Sequence, residues 1–392
     1  MQRLTGISTV TVIDDLGALE GASPVPPLET RHTRGAEALR EGASSHGRPH
    51  RRGPRRRFRN RPGGATAYAA LDLGTNNCRL LVAEPTRGGF RVIDAFSRIV
   101  RLGEGLGTAN VLGEPAIARA IEALKICRAK MEARGVTRAR LVATEACRSA
   151  VNGPAFISRV ARETGLHLEV VDRRTEAFLA VRGCASLLDP NADGAIVFDI
   201  GGGSTEIAWV SGFSGGLDDD PGRHVQAWES LPTGVVTLAE RHGGIDVTRD
   251  IFEAMVEEVS VLLAGFAERA REASRGRHFH LLGTSGTVTT IAGVHLDLPR
   301  YDRRRVDGLW MANVDATRVI ERLIAAEYGE RAANPCIGRE RADLVLAGCA
   351  ILEAIRRAFP CERLRIADRG LREGILMGLM GEDGVWQKGT TR

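Results

Sequence analysis

No part of this chain approaches the ~18 uninterrupted apolar residues that a membrane-spanning helix requires. A candidate such as 177–188 is broken by Arg182. The N-terminus has no continuous apolar core ahead of a cleavage site, because Asp14 and Asp15 stand where one would lie. A soluble, cytoplasmic protein is expected. The seven cysteines are scattered, odd in number and never form a C-x-x-C pair, which argues against a disulfide framework or a cysteine-held zinc. The nine histidines show neither H-x-x-x-H nor H-E-x-x-H spacing, so a zinc hydrolase is disfavoured.

With 392 residues, 43% hydrophobic and 26% charged, the chain can bury substantial cores and would ordinarily form about two domains. Its positive charge is concentrated at one end. Residues 1–62 hold twelve arginines, no lysine and six acids, a net of +6 beside +5 for the whole chain. The tract from Arg48 to Arg61 has no acid and is interleaved with proline and glycine, a composition that cannot pack a core. A disordered tail over 1–62 is expected, either merely solvated or in contact with polyanions.

Two Gly-rich signatures follow short apolar runs: Asp72-Leu73-Gly74-Thr75-Asn76-Asn77 and Asp199-Ile200-Gly201-Gly202-Gly203-Ser204-Thr205-Glu206. Each ends a strand on an acid and continues with small residues, so backbone N–H groups can crowd against phosphate oxygens. The surrounding pattern also occurs twice. Strands at 68–73, 78–83 and 90–97 precede a helix from Pro115, a strand at 140–143, a helix at 156–163, a strand at 168–171 and a helix at 176–188. Strands at 195–200, 206–210 and 225–231 restart the series. A helix at 251–273, a strand at 278–282 and a helix from Val288 follow. Helices at 315–326, with Asp315 as N-cap, and at 341–358, a strand at 364–366 and a last helix from Leu371 complete it. The expected fold is α/β, two mixed sheets flanked by helices with a ligand cleft between them.

Further motifs occur in order: Ala143-Thr-Glu-Ala-Cys-Arg148, Glu176-Ala177, the second Gly-rich loop, Leu231-Pro-Thr-Gly234, Gly283-Thr-Ser-Gly-Thr287 and Gly370-Leu-Arg-Glu-Gly374. Together they resemble the exopolyphosphatase / guanosine pentaphosphate phosphohydrolase (Ppx/GppA) family, over about residues 66 to 380, within the actin, sugar kinase and Hsp70 superfamily. The resemblance implies duplicated actin-like (ribonuclease H-like) domains, 63–173 and 174–392, with a C-terminal helix at about 373–385 packing back on the first. It also implies a short form without the HD-like region of longer members. Glu176 matches the glutamate that activates water, and Asp199 and Glu206 match the acids that hold Mg2+ or orient water. Asp72, Gly74, Thr75, Asn76, Asn77, Arg148, Gly201, Gly202, Gly203 and Ser204 match the phosphate-binding positions.

The implied activity is hydrolysis of terminal phosphoanhydride bonds of inorganic polyphosphate, with guanosine pentaphosphate as the alternative substrate. A superfamily small-molecule kinase and a non-catalytic sensor are the other readings, and a homodimer is left open. Read without the family, Glu176 could equally serve its helix dipole, and Arg148 could pair with Glu145 three residues earlier. The turn at Ser285 lacks the final glycine of a nucleophile elbow, so a serine nucleophile is disfavoured. Two departures from the family pattern stand out. Asn77 replaces a hydroxyl residue in the first loop, and Arg173-Arg174 precede Glu176, where they are expected to attract a polyanion.

Overall fold

The computed structural model describes residues 66–212 and 221–386; the expected tail over 1–62 lies outside them. The first apolar run forms β1 (Ala67–Leu73), which turns into β2 (Asn77–Thr86) and then β3 (Gly89–Ile99). A short α1 (Leu106–Ala109) leads to α2 (Glu114–Ala133), whose Pro115 sits in the first turn, where a missing N–H is no loss. Then come β4 (Val136–Ala143), α3 (Glu145–Ser149), α4 (Gly153–Thr164), β5 (Glu169–Val170) and α5 (Arg173–Cys184). The sheet order is β3-β2-β1-β4-β5, antiparallel from β3 to β1 and parallel from β1 to β5.

The plan restarts with β6 (Gly194–Ile200), β7 (Thr205–Ser211) and β8 (Val225–Leu231). Helices α6 (Val235–His242) and α7 (Arg249–Ser274) precede β9 (Phe279–Thr284) and α8 (Gly286–His295). After α9 (Arg303–Val306) come β10 (Trp310–Ala312), α10 (Asn313–Ala325), α11 (Tyr328–Ala333) and α12 (Val345–Ala358). The chain returns through β11 (Arg363–Ala367) to α13 (Leu371–Glu382). The second sheet runs β10-β11-β9-β6-β7-β8, repeating the antiparallel meander and parallel extension of the first and adding β10 as an antiparallel edge strand. This is the duplicated α/β architecture that the sequence implies.

The repetition extends to individual hydrogen bonds. In the first hairpin Asp72 pairs with Arg79 across the strands, and Gly74 N donates to Asn77 O at 2.9 Å. In the second, Asp199 pairs with Glu206, and Gly201 N donates to Ser204 O at 3.0 Å. One turn geometry is used twice, with an arginine and a glutamate at the matching position.

Helices α2 and α4 cover one face of the first sheet through Leu71, Leu73, Leu80, Leu124 and Phe156. The other face takes α5 and α13 through Tyr68, Leu81, Leu179 and Leu376. The second sheet packs on α7 and α12 around Trp209, Phe252, Phe266 and Phe359, and meets α5 through Val181, Cys184 and Val197. The α5–α13 crossing is too close for side chains at two points. A Cβ on Gly183 would lie 1.8 Å from Gly370 O, and one on Gly374 would lie 2.0 Å from Leu179 O.

Three local expectations are corrected. Helix α10 begins at Asn313 with Ala312 as its cap, so Asp315 lies inside the first turn and pairs with Arg318. Helix α12 begins at Val345 rather than 341, because residues 338–344 form a turn that Gly338 enters at φ 73. Helix α5 starts at Arg173, three residues before Glu176, because Asp172 caps it. The edge strand β10 has only three residues, too few for any periodicity to reveal.

Candidate active site

The two Gly-rich turns face one another. Gly74 to Asn77 from one and Gly201 to Ser204 from the other line a single cavity, together with Asp72, Asp199, Glu206 and Glu176. A methyl group on Gly203 would stand 2.7 Å from Thr75 Oγ1, so each turn forms part of the other's wall. The first turn is held from behind, where Val100 N and Arg101 N donate to Asn76 O at 2.9 and 3.0 Å. The guanidinium of Arg101 then grips Asp343 with bonds of 2.9 and 3.1 Å, tying that turn to the segment that carries the cavity-lining Arg341 and Leu344.

The Asp172 carboxylate accepts the Thr175 N–H at 2.7 Å, and this cap fixes where α5 starts. Glu176 is thereby carried into the cavity wall on the first turn. Its Oε2 accepts a bond of 3.0 Å from Arg148 Nη2. Arg148 itself is not part of the cavity wall. Its Nε and Nη2 donate to Glu145 Oε2 at 3.0 and 2.6 Å, and its Nη1 donates to Val171 O at 2.6 Å. The guanidinium thus serves two carboxylates and a carbonyl of the protein. Arg173 pairs with Glu145 at 2.9 Å, and Arg174 lies 5.1 Å over the ring of Phe178. Ser285 donates its hydroxyl proton to Ile200 O at 2.7 Å, which leaves it without the base partner that a serine nucleophile needs.

Five carboxylates line this cavity beside two arginines, Arg79 and Arg341, and four of the five are held above their ordinary values. Burial pushes Asp199 up to about 6, with Asp72 adding repulsion and Arg79 opposing it. Burial and then Asp199 push Glu206 up to about 7, against hydroxyl bonds from Ser204 and Ser230, the latter at 2.9 Å. Burial also raises Asp72, and burial with the Glu206 charge holds Glu176 well above the usual carboxylate range. Glu145 goes the other way: burial opposes it, but bonds from Arg173, Ser149 and Arg148 hold it below its ordinary value.

Hard oxygens carrying unrelieved charge are what a small divalent cation seeks. Among the described residues no group of three or more His, Cys, Asp or Glu side chains is arranged to hold a metal by itself. Mg2+ keeps several waters and takes few protein ligands. Asp199 and Glu206, paired across β6 and β7, are the residues that could hold it.

The cavity also includes residues that the sequence did not single out as site residues: Arg79, Thr144, Glu145, Ser285, Thr287 and Arg341. Arg79 had a usable signal, because it occupies in the first hairpin the position that Glu206 occupies in the second.

The model of the Ppx/GppA phosphatase family matches residues 81–383. The sequence is 30% identical over 334 residues to exopolyphosphatase 2 of Mycobacterium tuberculosis, spanning 81% of this chain and 99% of that protein. Among solved structures, a Ppx/GppA family member from Aquifex aeolicus aligns with a TM-score of 0.65 at 28% identity, covering 82% of this chain and 99% of its own. An exopolyphosphatase from Cytophaga hutchinsonii aligns with a TM-score of 0.72 at 24% identity, covering 81% and 98%. At that identity the likeness concerns the fold.

Proposed function

Because the chain belongs to the Ppx/GppA phosphatase family, we propose that it is an exopolyphosphatase, a hydrolase that releases orthophosphate from the end of inorganic polyphosphate. The observation that carries this reading is the meeting of two backbone-lined turns and four charge-strained carboxylates in one cavity. Backbone N–H groups of Thr75 to Asn77 and Gly202 to Ser204 would hold the terminal phosphates, since those of Gly74 and Gly201 close the turns themselves, and Arg79 and Arg341 add cationic charge to the wall. Glu176 takes a proton from a water as that water's oxygen bonds to the terminal phosphorus. The bond from phosphorus to the bridging oxygen breaks, and the shortened chain leaves with the electron pair. A carboxylate held above its usual range is the stronger base, so burial suits Glu176 to this role.

Asp199 and Glu206, with Asp72 beside them, are the residues that would hold Mg2+. When bound, the ion neutralises charge on the phosphate oxygens and orients them for in-line attack.

A second reading, guanosine pentaphosphate, is favoured by one feature. The cavity lining also includes Val235, Leu344 and Val345, apolar side chains for which a bare phosphate chain has no use and a nucleoside does. The test offers the purified protein, with Mg2+, polyphosphates of several lengths, guanosine pentaphosphate, and ATP with acceptors, and measures phosphate release. Glu176→Gln is expected to abolish turnover while leaving substrate binding in place. Full activity of that variant refutes the assignment of Glu176, and turnover confined to ATP with an acceptor refutes the hydrolase.

A further inference from the structure

Arg173 occupies the first position of α5, where a cation faces the positive end of the helix dipole and is disfavoured. What holds it there is Glu145. Arg173 Nη2 donates to Glu145 Oε1 at 2.9 Å and its Nε to Glu145 Oε2 at 3.3 Å, a two-pronged clamp. Glu145 accepts Ser149 Oγ as well, at 2.5 Å, and two bonds from Arg148. Its side chain is only 10% exposed, against 45% for Arg173. Arg148 then makes the bond to Glu176, which lies three residues beyond Arg173 on the same helix face. The first turn of α5 is therefore tethered twice to α3, once through Arg173 and once through Arg148.

These tethers determine how much of Glu176 is left available. Glu145 takes two of the Arg148 donors and Val171 O takes another. Only Nη2 reaches Glu176, and only at Oε2; the other oxygen, Oε1, accepts no hydrogen bond from the described residues. A carboxylate gripped on both oxygens by a guanidinium would be a fixed ion pair and a poor base. One gripped on a single oxygen is aimed and still able to take a proton.

We propose that Glu145, clamped by Arg173, is a positioning residue that restrains Arg148 to a single contact with Glu176 and so keeps the second oxygen of Glu176 free for the attacking water. This rests on Glu176 being the water-activating base.

The test measures kcat and KM separately for Glu145→Gln, Glu145→Asp, Arg173→Gln and, as reference, Glu176→Gln, with thermal melting to confirm folding. Glu145→Gln is expected to lower kcat by about tenfold to a hundredfold, the range for a misplaced catalytic group, with KM within about threefold. Glu145→Asp, which keeps the charge, is expected to recover much of the loss. Arg173→Gln removes a side chain from the exposed end of the clamp; it is expected to lower kcat in the same sense but less, and it carries the test alone if Glu145→Gln does not fold. A raised KM with unchanged kcat in these variants places the cluster in substrate binding and overturns the proposal, as does wild-type behaviour in both. An active Glu176→Gln overturns the base assignment and this proposal with it. An inactive Glu176→Gln beside an unaffected Glu145→Gln overturns the positioning role alone.

Discussion

Replacing Asp199 by Asn is expected to stabilise the metal-free protein at pH 8 while removing its activity. Asp199 is held at about 6 in the folded chain against an ordinary value of 3.8. A raised value means that the folded state holds the proton more tightly than the unfolded one. The resulting stabilisation is complete below about pH 4 and is lost as the pH rises through 6. Asparagine stays neutral throughout, so its advantage over the ionised aspartate grows across that window. A displacement of roughly two units at ~1.4 kcal/mol each comes to about 3 kcal/mol at pH 8. Glu206, which the Asp199 charge pushes upward, is relieved in the same direction.

The assay is thermal melting of chelator-treated wild type and Asp199→Asn at pH 8 and pH 4. A rise in Tm on the order of 6 °C is expected at pH 8, and none at pH 4. Added Mg2+ should narrow the pH 8 gap by stabilising the wild type alone. Equal melting at pH 8, or a less stable variant there, refutes the claim that the cavity carries unrelieved charge.

Gly203→Ala is expected to drive Thr75 away from the second turn and raise KM about fivefold, the equivalent of one lost hydrogen bond at ~1 kcal/mol; an unchanged KM would mean that the turns are not mutual walls. Gly374→Ala forces a methyl group against Leu179 O and should cost about 1–3 kcal/mol in urea unfolding, as overpacked sites do. A wild-type midpoint contradicts the close crossing. Arg101→Gln breaks the pair with Asp343, whose side chains are 33% and 23% exposed, so stability should fall by no more than about 1 kcal/mol. KM should nevertheless rise several-fold in steady-state kinetics, because the first turn loses its tie to the Arg341 segment; if only stability changes, the tie does not shape the site.

What the sequence made legible was local. Both hairpins could be read because an apolar run, an acid and small turn residues lie within ten positions. The contact of Arg148 with Glu145 could be read as well, from their spacing of three. The clamp of Arg173 on Glu145 could not, since 28 residues separate them and they meet only because β5 joins β4 in parallel and delivers α5 beside α3. Arg341 stayed hidden for the same reason, in a turn whose approach to the first hairpin depends on Arg101 reaching Asp343. The start of α5, read at Glu176, and the cap of α10, read as Asp315, went astray because acids are favoured both at a cap and within the first turn. Only the bond made by Asp172 and the one made by Asp315 separate the two cases.

A cavity assembled from two copies of one hairpin would be electrically even-handed, each half presenting the same face to whatever lay between. At one register position the copies differ in charge: across from Asp72 stands Arg79, and across from Asp199 stands Glu206. That exchange gives the two hairpins unlike charge, one setting a cation beside its acid and the other carrying two acids that a counter-ion would relieve. A linear polyanion entering such a space meets two unlike sides, and its leading end has a preferred way to face.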